Sequence, residues 1–573
     1  MQTVYFSLLQ KWCDALIACQ AHNLGPAFDG AFLCPACKFP HGRCQDAVYP
    51  LLYVARRTGE NRYIEAAKAV FDWHDRNMTC DDGGVYNDAM SDWRYITVFA
   101  AVAVCEALER HGDLLDLPTR KKWRAKLTRM ADWLYRNLDE HSKTNINYVA
   151  TNACAMALTG RCLNRPEYVA KARRLAAFAL NYFTENGLLF GEGKPRDSFT
   201  PRRCRPIDVG YNVEESVPAL IKYAVSVGDE NALSFLTEVL RKQLDFLLPD
   251  GGWDNSFGSR NNKWTYYGSR TSDGCQAGYA LLADRDPRFA EAALRNARLM
   301  ERCSQNGLLN GGMRYPENGE PACVHHTFTH ANALACALEA GIEKYTQPAA
   351  LPADHAAKPI SYYPEIDTYK LAMGDLRATV TGYDYDLSAG HASGGTLTLL
   401  WHKAVGPVIV SSVVDYHLVE PVNQQQTLRL SRHRTLTPRV ELIQDSRRYS
   451  QCYDTRASIE VSGDSGKIRV VVGAALVTLE QQILSAPVTV NLEYRFTAGG
   501  VRISGRLVGD GASAARFVLP IVSRNVQVRT DCVCEKQPIF FLTPGFDALE
   551  YTLRPDAEGH FQAEIRLPEL RSL

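Results

Sequence analysis

An Asx-Gly turn recurs along the N-terminal part of the chain, at Asp29-Gly30, Asp82-Gly83-Gly84, Asn186-Gly187, Asp250-Gly251-Gly252 and Asn306-Gly307. Three of the gaps are 53, 64 and 56 residues, and the fourth, of 104, holds a degenerate turn near Asp139. That makes six units. In each, a helical pattern runs into the turn, as over 66–77, 130–138 and 236–248. A second helix rich in small residues follows an irregular loop, as over 95–110, 147–158 and 328–340. One such helix pair cannot bury its apolar face alone, so the units must pack on each other. Six pairs can close into a ring with the small-residue helices inside. The repeat predicts an (α/α)6 toroid; an open α-solenoid is the alternative that the same spacing allows.

The pattern changes near residue 350. Stretches such as Leu376-Arg377-Ala378-Thr379-Val380-Thr381 and Lys467-Ile468-Arg469-Val470-Val471-Val472 alternate with period two and are rich in β-branched residues. Between Gly and Asp turns they read as antiparallel strands. The Pro- and Ala-rich segment from Gln347 to Pro359 reads as a connection. The expected class is therefore a multidomain α+β protein: a toroid over 1–346, a linker over 347–363 and an antiparallel β-sandwich over 364–573.

Sixty-four basic residues cancel 64 acidic ones, which argues against a nucleic-acid partner held by bulk charge. No apolar run reaches the length of a membrane span. The start, Met1-Gln2-Thr3-Val4-Tyr5, lacks the basic and apolar regions of a secretory signal. Of the 17 cysteines, 14 precede residue 337, mostly in alanine-rich helical contexts and without the even spacing of a disulfide framework. A cytoplasmic location is the expectation, or a periplasmic or secreted one if a signal has been removed. Assembly into a homo-oligomer stays open.

In a closed ring, all six inner helices start at one end, and the loops before them hold the polar and aromatic residues. The first carries His41, Arg43 and Asp46; the second Trp93 and Arg94; the third Asn147, with Asn152 a turn later. The fourth carries Tyr211, Asn212, Glu214 and Glu215; the fifth Trp253, Asp254, Trp264, Tyr266, Tyr267, Arg270 and Asp273; the sixth His325, His326 and His330. Six clusters in one phase of a repeat imply one concave mouth. Indole and phenol rings suit the apolar face and hydroxyl rim of a sugar, and Arg43, Arg94 and Arg270 could pair with a carboxylate. A uronic acid combines both demands. The competing reading of each aromatic is that it packs a hairpin end.

Two reactions fit such a mouth. β-Elimination at a uronate needs a group that neutralises the carboxylate and groups that take and give a proton, all without metal. Asn147 with Arg270 are candidates for the first task, Tyr211 with His41 or His326 for the second. Arg43, Trp93, Arg94, Asn152, Asn212, Trp253, Trp264, Tyr266, Tyr267, His325 and His330 are candidates for holding substrate. Hydrolysis instead needs two carboxyl groups at a set separation, from among Glu192, Glu214, Glu215, Asp254 and Asp273. Adjacent Glu214 and Glu215 should not both face the mouth from one helix. A non-catalytic glycan-binding protein is the third reading.

The toroid followed by a β-sandwich, over nearly the whole chain, resembles the toroid polysaccharide lyases, including the heparinase II/III-like and alginate-lyase-like families. Asn147 in Asn145-Ile146-Asn147-Tyr148 and Tyr211 in Gly210-Tyr211-Asn212 stand in the order of that group's Asn and catalytic Tyr. The stretch Gly390-His391-Ala392-Ser393-Gly394-Gly395 is similar to a Gly- and His-rich stretch in its sandwich. Tyr148 follows Asn147 where the group has His, so the resemblance implies a base in Tyr211 or in a His from another hairpin. The same architecture resembles toroid glycosidases, including exo-acting glucuronidases. The expected function is thus a uronate-specific polysaccharide lyase, with an exo-acting β-glucuronidase as the alternative.

Cys34-Pro35-Ala36-Cys37 with His41 and Cys44 has the spacing of a zinc knuckle. A structural zinc there competes with a reading in which His41 serves the mouth and the cysteines pack. No cofactor is required by the expected chemistry.

Overall fold

The computed structural model describes residues 3–88, 91–193, 195–270, 274–385, 390–414 and 434–568. The helical region comprises α1 (Val4–Ala18), α2 (Val48–Thr58), α3 (Asn61–Asn77), α4 (Thr97–His111), α5 (Leu117–Asn137), α6 (Ile146–Cys162) and α7 (Pro166–Leu180). It continues with α8 (Val209–Tyr211), α9 (Val217–Val227), α10 (Glu230–Gln243), α11 (Gln276–Leu281), α12 (Pro287–Arg302) and α13 (Val324–Glu339). The small-residue helices α2, α4, α6, α9, α11 and α13 pack each on the next, and α13 packs on α2. The ring is closed, which excludes the open solenoid.

Each inner helix pairs with the outer helix that follows it: α2 with α3, α4 with α5, α6 with α7, α9 with α10 and α11 with α12. The last pair is α13 with α1, so the first described helix completes the sixth hairpin. Every Asx-Gly turn has its Gly at positive φ, for instance Gly83 at 95° and Gly251 at 93°. A Cβ on either would lie 2.3 Å from a carbonyl oxygen of a neighbouring outer helix, Arg129 or Arg295. The repeat is therefore written in Gly because backbone must touch backbone there.

The first β strand, Ile360–Tyr363, lies inside the stretch expected to be linker; Pro364 ends it. Three antiparallel sheets follow, of five, five and six strands. The two five-stranded sheets meet where the Val522 amide donates to the Val408 carbonyl. Their inner faces, including Val380, Leu397 and Phe517, share one core with Leu492, Ile503 and Phe561 of the six-stranded sheet. Thr489–Thr497 shows the alternation of a strand with one wet face.

The other face of the five-stranded sheets joins the toroid core through Leu399, Trp401, Val410, Phe541 and Phe546. The sandwich thus sits on the end of the ring where the inner helices begin and roofs part of it. Arg202 fastens the contact, donating to Asp367 Oδ2 at 2.7 Å and to the carbonyls of Ala457 and Thr455 at 2.9 and 3.1 Å.

Candidate active site

At the mouth, groups from the third and fifth loops converge on Glu192, which lies in the fourth. Its Oε1 accepts from the Asn147 backbone amide at 3.1 Å, at the start of α6, and its Oε2 from Asn145 Nδ2 at 3.4 Å. Arg260 Nη1 lies 3.6 Å from the same Oε2. The Arg260 guanidinium sits over the Tyr211 ring, 4.3 Å from its centroid, within cation–π range. Asp208 holds these pieces in register. It caps α8 by accepting from the Tyr211 amide at 2.9 Å, and its other oxygen accepts from the Arg260 amide at 2.8 Å and from Asn255 Nδ2 at 2.9 Å. Burial raises the Asp208 carboxyl above the ordinary range and pushes Glu192 up to about 7.

Between α8 and α9 the chain makes a π-helical stretch, Asn212–Ser216, a wider winding often found at functional sites. It corrects the expectation that only one of the adjacent glutamates could face inward. Glu215 accepts from Asn147 Nδ2 at 2.5 Å, while Glu214 accepts from the Ser269 amide at 2.7 Å and lies 3.5 Å from His330 Nε2. Both carboxyls line a cavity on the ring axis together with Asp46, Thr151 and Asn332. Asn147 Oδ1 is buried with no hydrogen-bond partner. The site therefore offers a fixed cation, an amide oxygen and nitrogen held in place, and a phenol beside them.

The model for the ulvan lyase N-terminal domain matches residues 9–354, and that for the ulvan lyase C-terminal domain matches 360–533. A broad-specificity ulvan lyase of Formosa agariphila is 37% identical over 528 residues, covering 90% of this chain and 82% of its own. The chain belongs to the ulvan lyase family. Heparinase III shares the fold at a TM-score of 0.55 and 11% identity, over 99% of this chain and 85% of its own. The Streptomyces coelicolor A3 chondroitin AC lyase does so at 0.55 and 12%, over 99% and 79%.

Several expected site residues serve other purposes in this ulvan lyase family member. Trp253, Trp264, Tyr266 and Tyr267 are fully buried. Trp264 Nε1 donates to the Trp253 carbonyl, and Tyr266 meets Phe546 of the sandwich edge-on with ring centroids 5.4 Å apart. They pack the fifth loop beneath the β domain rather than stacking on a sugar. Asp254 is consumed there too, by Lys370 Nζ at 2.6 Å and Thr379 Oγ1 at 2.5 Å. Arg270 is fully buried and donates to the Leu542 carbonyl at 2.8 Å, so the cation at the mouth is Arg260 instead. Asn152 donates to the Leu138 carbonyl, and Asn212 bridges the backbone of Leu189 with both ends of its amide.

The remaining candidates fall around the first, second and sixth loops. Arg43 is buried, paired with Asp46 at 2.6 Å and seated over the Phe99 ring. Trp93 is half-buried, donating to Tyr148 Oη at 2.9 Å, and with Tyr95 and Tyr148 forms the aromatic group with some exposure at the rim. Arg94 pairs with Asp82 at 2.9 Å. His326 is buried in the first turn of α13, and His330 Nδ1 donates to the His326 carbonyl at 2.7 Å. His325 lies against His41, Nδ1 to Nδ1, at 3.2 Å; burial and the cations beside it keep His325 well below the ordinary histidine range. His41 belongs with Cys34, Cys37 and Cys323. Cys44 is not part of that group; it is buried, and burial pushes its thiol up to about 12. None of the 17 cysteines, all among the described residues, forms a disulfide. Asp273 lies outside the described residues.

Sequence reasoning missed Arg260 and gave no role to Asp208, its anchor, or to Tyr148, although both stand in the loops of the mouth. The signal for Arg260 was present in the polar run Ser259-Arg260-Asn261-Asn262, in the longest loop of the mouth.

Proposed function

We propose that the chain is a polysaccharide lyase that cleaves ulvan at its uronate residues by β-elimination. The observation that carries this reading is that Arg260 ties two groups together: its guanidinium lies beside the buried Glu192, which also accepts from the Asn147 backbone amide, and it covers the Tyr211 ring. Elimination begins with loss of the proton next to the uronate carboxylate, so that negative charge builds on the carboxylate as the C–H bond breaks. Arg260 faces that charge with a cation already fixed in place, which is where electrostatic catalysis gains most, and Asn147 Nδ2, held by Glu215, has a second hydrogen to donate to it. Tyr211 transfers the proton. Its phenol lies under a guanidinium, so charge developing on its oxygen meets a cation rather than solvent.

Glu192 supports this arrangement from behind. With its carboxyl raised to about 7, it is largely neutral in mildly acidic solution and does not compete with the substrate for the Arg260 charge. Trp93, Tyr95 and Tyr148 provide the flat apolar surface on which a sugar ring stacks.

The test is incubation with ulvan while following the ultraviolet absorbance of the unsaturated uronate that elimination creates. Tyr211→Phe should lower turnover at least about 100-fold with the circular dichroism spectrum unchanged. Reducing ends that form without new absorbance would mean hydrolysis and would sink the proposal. Full activity in Tyr211→Phe would remove that residue from the mechanism.

A further inference from the structure

Four soft ligands meet at the seam where the ring closes. Cys34, Cys37 and His41 lie on the loop between α1 and α2, and Cys323 is the N-cap residue of α13. One ligand atom from each lies within 4.8 Å of all the others; Cys34, His41 and Cys323 are buried and Cys37 is partly so.

Cys34 Sγ and Cys323 Sγ are 3.6 Å apart. A tetrahedral zinc with Zn–S bonds of about 2.3 Å separates two thiolates by about 3.8 Å, whereas a disulfide brings them to about 2 Å. The local backbone is shaped for the same purpose. Lys38 adopts a left-handed φ of 67° and its amide donates to the Cys34 carbonyl at 2.9 Å, which folds Cys34 and Cys37 onto one side of a tight turn. The Cys37 amide points at Cys34 Sγ from 3.4 Å, the kind of outer hydrogen bond that steadies a coordinating thiolate. His41 is 1% exposed, and its Nδ1 faces His325 Nδ1 while Nε2 has no hydrogen-bond partner. Nε2 is therefore the nitrogen left for a ligand bond.

We propose that Cys34, Cys37, His41 and Cys323 bind one zinc ion in a closed structural site. Three thiolates and an imidazole fill the four positions of the tetrahedron and leave none for water, so the ion takes no part in the elimination. Its work is mechanical. It ties residues 289 apart in sequence, and a cross-link over so long a loop removes much entropy from the unfolded chain. It also fixes the entry to two functional segments: His41 leads directly into Gly42–Ala47, which carries Arg43, and Cys323 leads into His325 and His326. With Nε2 on zinc, His41 carries its proton on Nδ1 and donates it in a hydrogen bond to His325 Nδ1, which leaves the His325 proton on Nε2. The spacing of the first loop alone nominates Cys44 as the fourth ligand; the fold replaces it with Cys323.

The experiment is native mass spectrometry with elemental analysis of the full-length protein, purified under reducing conditions without chelator. The expected result is one zinc per chain, lost in Cys37→Ser and Cys323→Ser and retained in Cys44→Ser. Because the first two variants lose part of the ring closure, a second measurement uses the wild type. Zinc is stripped with a chelator and cobalt(II) is added, and one equivalent should produce thiolate-to-cobalt charge transfer and the intense visible bands of tetrahedral cobalt. Zinc-free protein that also gives no cobalt bands would overturn the proposal. So would a Cys34–Cys323 disulfide found in peptides of the purified protein, or zinc lost in Cys44→Ser and kept in Cys323→Ser.

Discussion

Replacing Glu192 with Gln isolates what it costs to keep a carboxyl group in the wall of the site. Burial raises this group from the ordinary value of 4.5 to about 7, and Arg260 with the Asn147 and Asn145 donors offsets only part of that rise. A raised acid favours the native state only while it holds its proton. The contribution is complete below the unfolded-chain value of 4.5 and is lost as pH climbs through about 7. Fully ionised, the group costs roughly 3 kcal/mol, most of which develops between about pH 5 and about pH 8. Gln cannot ionise, so Glu192→Gln escapes this cost. Equilibrium urea unfolding of both proteins, followed by tryptophan fluorescence at the two pH values, cancels every titration they share. The stability difference should move by roughly 2–3 kcal/mol in favour of the variant on going to the higher pH. A difference that stays constant, or moves toward the wild type, would refute the claim that burial governs Glu192. The same ionisation should raise the wild-type KM for ulvan above about pH 7, because a charged Glu192 competes with the substrate for Arg260.

The geometry sets the outcome of four further substitutions. Arg260→Ala should lower kcat/KM for ulvan by about 100-fold or more, whereas Arg270→Lys should lower the unfolding midpoint and leave turnover per folded molecule within about threefold. Trp264→Ala should cost about 3–5 kcal/mol of stability, read from urea unfolding, with KM unchanged; a KM that rises with stability intact would return Trp264 to the sugar site. Gly251→Ala should destabilise by more than about 1 kcal/mol in the same assay, since φ is left-handed and the new carbon would meet the Arg295 carbonyl.

The six-fold repeat was legible because its demands are local. A left-handed turn in backbone contact with a helix admits Gly and little else, so Gly83 and Gly251 announce themselves. Asn147 and Tyr211 were legible for a related reason, since the phase of the repeat places them at the starts of inner helices. The phase does not tell which residue of a loop turns inward. Arg260 and Arg270 share one loop, and their fates are set by Asp208 taking the Arg260 amide and Leu542 taking the Arg270 guanidinium. Leu542 is 272 residues from Arg270, and no local pattern reports it. Trp264 and Tyr266 have the composition of a sugar platform and become core only because Phe541 and Phe546 arrive from the far end of the chain. Ordinary helical winding turns adjacent Glu214 and Glu215 to different sides, and the π stretch does not follow it.

The pairing of α1 with α13 sets a timetable for synthesis. About 300 residues separate the two helices, so at 5–20 residues per second α1 waits roughly 15–60 s for its partner to emerge from the ribosome. Throughout that interval α1 can pack on α2 and α3, but the apolar residues it turns to α13, from a helix that buries Phe6, Leu9, Trp12 and Leu16 in the finished protein, lack that cover. The five hairpins between can form as they appear, but the circle stays open until translation has passed Glu339. Chaperone capture of nascent chains should therefore concentrate on α1, and a permuted chain in which α1 follows α13 should be released from it.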